Sequence, residues 1–131
     1  MFFVYFLAFE HFYFGEYAQN IGKMFQNGIK PAVRYAEMLA DAKEIIYAGE
    51  NISYPKILAF SDLSPKEYIE TVQYTNYPAT YLNISQCGNY VFNVSAEGND
   101  GIYIIRFDQT ENYVDMGYTV EQFGNIAVVY K

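Results

Sequence analysis

At 131 residues the chain has room for one domain built round a single hydrophobic core. A formal charge of -7, with only eight Lys and Arg, excludes the clustered basic surface that nucleic acid or an anionic lipid surface requires. Cys87 stands alone, so an intrachain disulfide is excluded, and no CxxC or Cys/His cluster offers a zinc or haem site; a buried, inert thiol is expected.

The chain opens on MFFVYFLAFEHFYF, where eight aromatic rings are accompanied by just two side chains of strong polarity, Glu10 and His11. The apolar run from Met1 to Phe9 is about half the length needed to cross a bilayer. It also lacks the basic flank and small-residue cleavage site of a secretory signal. Apolar surface on this scale marks an interaction site, and other copies of the same chain are the expected cover. Phe2, Phe6, Phe9 and Tyr13 recur at helical spacing, with Glu16, Gln19, Asn20, Lys23 and Gln26 as a polar side further on. An amphipathic helix over residues 3–25 is therefore expected, weakened by Gly15, Gly22 and Gly28.

Residues 31–48 carry the clearest helical pattern. Pro31 suits a first turn, Ala32, Tyr35, Leu39, Ala42 and Ile46 form one stripe, and Gly49 is a natural stop. Joined through residues 26–30, the two segments would make one rod kinked near Pro31. About 45 residues at 1.5 Å each would project roughly 65–70 Å. Residues 49–63, with Pro55 inside, read as an irregular connection. Ser64-Pro65-Lys66-Glu67 announces a short helix running to about Val72: a cap, a first-turn proline and a glutamate three residues on.

The remainder reads as antiparallel sheet. Strands are expected at 81–85 and 90–96, each with one wet face. Asn99-Asp100-Gly101 is a hairpin signal leading into a strand at 102–108, and strands at 113–120 and 126–130 complete the set. The expected fold class is α+β: a long N-terminal helix, a short helix, then a four- to five-stranded antiparallel sheet. Residues 1–48 would be an assembly segment and residues 49–131 the head.

Chemical signatures are sparse. His11 and Glu10 are sequence neighbours and do not face each other on a helix, and no third group completes an acid–base constellation. Glu97-Gly98-Asn99-Asp100-Gly101 lacks the alternating ligands and bidentate glutamate of a calcium loop, and a tight turn explains it. No phosphate-cradling glycine motif occurs. The many tyrosines, among them Tyr74, Tyr77, Tyr81, Tyr90, Tyr103, Tyr113 and Tyr118, suit strands and subunit contacts better than sugar or base stacking. Three Asn-x-Ser sequons begin at Asn51, Asn83 and Asn93, against about one expected by chance. All three fall in a loop or on an outward strand face, which makes them candidate N-glycosylation sites.

A projecting N-terminal helix followed by a small sheet resembles the type IV pilin and pseudopilin plan. Phe6-Leu7-Ala8-Phe9-Glu10 has that family's mature spacing of a starting Phe and a Glu in the fifth position, and the Pro31 kink is similar to theirs. Beyond Glu10 the chain departs from the family's long aliphatic helix at His11, Gly15, Glu16, Gln19 and Asn20. The resemblance implies a filament with helices in its core and heads outside, and transient membrane association before assembly. It also implies that Glu10 neutralises a neighbour's amino terminus. The expected function is a non-enzymatic structural subunit of an extracellular, cell-surface filament, a homopolymer held through Phe2, Phe3, Phe6, Phe9, Glu10, Phe12 and Phe14. No cofactor and no small-molecule substrate are expected. The alternatives are a soluble ligand-binding or sensor module, with helices covering the sheet, and a hydrolase using carboxylates such as Glu97 and Asp108.

Overall fold

Ile46-Tyr47-Ala48-Gly49 forms the central strand of the protein. The computed structural model describes residues 2–41, 44–95 and 100–131, with backbone alone at Lys23 and Met24. This strand, β1 (Ile46–Gly49), lies between β4 (Tyr90–Val94) and β5 (Ile102–Arg106) and runs parallel to both. The outer strands pair antiparallel: β2 (Gln73–Tyr74) and β3 (Ile84–Cys87) extend the sheet beyond β4, and β7 (Ile126–Tyr130) and β6 (Thr119–Phe123) extend it beyond β5. The class is α+β as expected, but the sheet has seven strands and is mixed, not four- to five-stranded and antiparallel.

The helix expected to run to residue 48 ends at Leu39, as α3 (Ile29–Leu39), and the segment from Ile46 is strand. A short apolar run buried on all sides has no periodicity that separates helix from strand, and here the β-branched Ile46 and aromatic Tyr47 fit the pleated surface. All four residues of β1 are buried. Pro31 sits in the first turn of α3 without kinking the rod; the chain breaks upstream, in turns over residues 25–28 where Gln26 has φ 55°. The boundary expected between residues 48 and 49 thus falls inside the central strand.

Helices cover one face of the sheet. Ile29, Ala32, Val33 and Ala36 of α3 pack on Ile46, Ala48, Ile102, Ile104, Ile126 and Val128. Two further helices join this layer. α4 (Tyr54–Phe60) forms where an irregular connection was expected, because Pro55 stands in its first turn and does not interrupt it. α5 (Pro65–Thr71) starts as its sequence announces, with the Ser64 hydroxyl accepting from the Glu67 N–H at 3.2 Å. The opposite face is a tyrosine layer: Tyr47 and Tyr103 stack at 5.0 Å, and Tyr113 and Tyr118 meet Tyr103 at 5.3 and 6.1 Å. Covered on both sides, β1, β5 and β7 read as near-continuous apolar runs.

Two expectations in the back half are corrected. The strand expected at 113–120 is instead α6 (Glu111–Asp115), closed by Gly117 at φ 81°, followed by β6. The hairpin expected at 99–101 does not pair the strands on either side, because β4 and β5 flank β1 and run the same way; Asn99 itself lies outside the described residues.

The N-terminal arm consists of α1 (Phe2–Phe12), a π-helical turn at Tyr13–Tyr17, and α2 (Ala18–Met24). Its base is tied to the head by side chains. The Gln26 amide donates to the Asn51 carbonyl (2.8 Å) and accepts from the Ser53 N–H (3.3 Å), while Lys56 Nζ donates to the Phe25 carbonyl. Gly28 then brings the start of α3 against the β6–β7 hairpin, so close that a Cβ there would overlap the Phe123 carbonyl. Gly28→Ala is therefore expected to destabilise the fold by about 2–3 kcal/mol, as overpacking against backbone does, read as a lower urea midpoint at unchanged slope.

Candidate assembly surface

α1 is helical without a buried residue. Successive residues turn about 100° round a helix, so Phe2, Phe3, Val4, Tyr5, Phe6, Leu7, Ala8 and Phe9 cover its whole circumference. The amphipathic pattern expected over residues 3–25 is therefore absent from Phe2–Phe9; Glu10 and His11 are the polar residues of α1, and a polar side develops only from Glu16 onward. Exposure runs from 44 % at Phe6 to 84 % at Phe2, and Phe3, Phe9, Phe12 and Phe14 lie between. Among the seven residues expected to form the assembly interface, the six phenylalanines are thus exposed together on one arm and Glu10 is half-buried beside the exposed His11.

The π turn has a simple local cause. Gly15, at φ -92° and ψ -106°, leaves the helical region, and a Cβ there would meet nothing within 4 Å. Rings brace the break: Phe9 and Tyr17 each stack on Tyr13 at 5.5 Å, and Phe12 reaches Tyr17, five residues on, at 6.0 Å. The expected stripe survives as this ladder of rings within the arm and does not face the sheet. Eight aromatic side chains at these exposures, with Val4 and Leu7, offer on the order of 1,000 Å². A standard protein interface uses about 800 Å² per partner.

The other candidate residues are dispersed. Asn51, Asn83 and Asn93 are all exposed, Asn51 and Asn93 in left-handed backbone (φ 67° and 57°). Asp108 pairs with Arg106 at 2.5 Å, and Glu97 lies outside the described residues. Cys87 is fully buried, and burial pushes its thiol pKa up. Of the tyrosines expected at subunit contacts, Tyr90, Tyr103 and Tyr113 are instead core residues, whereas Tyr77 and Tyr81 are exposed. Among the described residues, no group of three or more His, Cys, Asp or Glu is placed to hold a metal ion, and no helix is long and apolar enough to cross a membrane.

A polar knot not foreseen in the sequence ties the helical layer to the sheet. Glu37 Oε1 accepts from the Tyr90 hydroxyl (2.7 Å) and from the Asp62 N–H (2.8 Å), while Arg34 pairs with Asp62 at 2.5 Å. Its members come from α3, the α4–α5 connection and β4, so no local motif announces it. Glu37→Ala strands the buried Tyr90 hydroxyl and should cost about 2–3 kcal/mol in urea unfolding.

Burial pushes the Tyr113 phenol up to about 12, and the Tyr74 hydrogen bond followed by burial does the same to Tyr68. Burial, reinforced by Glu37, raises Tyr90 as well. Unfolded tyrosine ionises near pH 10, so between there and about pH 12 the unfolded chain releases protons that the fold retains. Stability should be intact below pH 10 and fall across that window. Tyr113→Phe, which removes one such group, should lessen the slope of unfolding free energy against pH.

No family model, curated protein or solved structure matches this chain.

Proposed function

We propose that this chain is a non-enzymatic structural subunit that polymerises into an extracellular, pilus-like filament through its aromatic N-terminal helix. The observation that supports the reading best is the exposure of apolar residues round the whole circumference of α1 from Phe2 to Phe9. A dimer seam covers one stripe of a helix and leaves the rest in water, whereas a helix apolar all round needs neighbours on every side. A helix lying in a lipid surface needs a polar, usually basic face, which α1 lacks. Several copies of α1 packed together satisfy the requirement. Glu10, the one acidic residue in the first fourteen, then enters that core and takes its positive partner from an adjacent copy.

The head explains why such packing would stay open. Seven strands spaced about 4.8 Å apart span roughly 30 Å, while packed helices lie about 8–10 Å apart. Heads of that width crowd one another round a narrow core. An axial offset between successive copies relieves the crowding and leaves the contact unclosed, which makes a helical filament. Exposed sequons at Asn51, Asn83 and Asn93 on such heads suit a glycosylated outer surface.

The test compares the full chain with the triple variant Phe3→Ser, Phe6→Ser, Phe9→Ser, whose positions are exposed and touch no part of the core. Negative-stain microscopy and sedimentation should show filaments for the parent and a 15 kDa monomer for the variant, with the same far-UV spectrum from the head. A monomeric parent, or a variant that polymerises equally well, would overturn the proposal.

A further inference from the structure

A half-open cleft of about 420 Å³ lies where the parallel strands end, on the side of the sheet away from α3. Glu50 follows β1, Val94 and Ser95 come at the end of β4, and Gln109, Asn112 and Tyr113 close the opposite side. In sheets with parallel strands, ligands favour the carboxyl ends beside a strand whose neighbours are reached in opposite directions. β1 is such a strand, since the chain goes from it first to β4 on one side and later to β5 on the other.

Two features of the backbone and side chains prepare this place. Tyr47 faces Val91 and Gly49 faces Val94, so β4 holds one residue more than β1 over the same span, and Asn93 in its left-handed conformation absorbs the excess. The bulge reverses the alternation beyond Phe92. Phe92 packs under the helices, yet Val94 joins Val91 against the tyrosine layer, which delivers Val94 and Ser95 to the cleft. The Tyr113 ring lines the same cleft, and among the described residues its buried hydroxyl has no hydrogen-bond partner.

The lining dictates the chemistry. Glu50, Ser95, Gln109 and Asn112 supply a carboxylate, a hydroxyl and two carboxamides, a set that both donates to and accepts from adjacent hydroxyl groups. No Lys or Arg stands among the described lining residues, and Glu50 repels phosphates and carboxylates. The volume falls in the range of roughly 300–1,000 Å³ used by small ligands. We infer that this cleft binds a neutral, polyhydroxylated ligand of mono- or disaccharide size, held by Glu50, Ser95, Gln109 and Asn112. The assignment is independent of the arm and its assembly.

Saturation-transfer NMR on the full chain tests it, because the readout is on the small molecule and tolerates assembly of the protein. The probes are methyl glucoside, methyl galactoside, N-acetylglucosamine, lactose and myo-inositol, each at about 10 mM, where a millimolar site is mostly filled. Transfer to at least one probe is expected, and titration of that probe should give a Kd about fivefold or more weaker in Gln109→Ala/Asn112→Ala, as loss of a hydrogen bond requires. Both residues are exposed, so the fold should survive; Glu50→Gln provides a second variant with the same expected direction. Added inorganic phosphate should not displace the probe. The inference is overturned by absence of transfer to every probe, by a Kd that both variants leave unchanged, or by displacement with phosphate.

Discussion

Burial of a four-residue strand on both faces is the constraint from which the rest of the architecture follows. All four residues of β1 are buried, so its two edges and two faces must all be covered by other parts of the chain. Parallel partners on each edge satisfy its N–H and C=O groups. Covering both faces then demands two different materials. α3 brings small and branched residues against Ile46 and Ala48, while the other side closes with stacked phenol rings round Tyr47. Strands β2, β3, β6 and β7 extend this centre outward, and their pairing becomes antiparallel.

The aromatic residues divide by environment. Tyrosine dominates the interior cap, where rings pack edge and face at 5.0–6.1 Å and a polar tip can reach another group. Phenylalanine dominates the arm, where six of the first fourteen residues are Phe against two Tyr. The same class of side chain therefore closes the head and, on the arm, stands exposed to solvent. Composition alone does not distinguish the two uses; position along the chain does.

Legibility in the sequence followed the range of the interactions involved. The α5 cap, the strand at 126–130 and the helical arm are local features, and Ser64-Pro65-Lys66-Glu67 states its own geometry within four residues. β1 reads as helix in the sequence because its identity depends on β4 and β5, more than forty residues away. α6 reads as strand in the sequence since Tyr113 and Val114 fit either pattern, and Gly117 closes the helix. The aromatic residues of the arm stand out in the sequence as a candidate surface, whereas the cleft does not. Glu50, Ser95, Gln109 and Asn112 come from three separated stretches that only the sheet brings together.

The clasp at the base of the arm has a mechanical meaning. Gln26, Lys56 and the Gly28–Phe123 approach fasten the chain just before α3 enters the core. Tension applied through α1 and α2 reaches those side-chain bonds first. Above them stands the Gly15 turn, whose bend is held by ring contacts within the arm itself. Force along the arm would thus be carried to the head through a small set of side-chain bonds and one close backbone approach at its base.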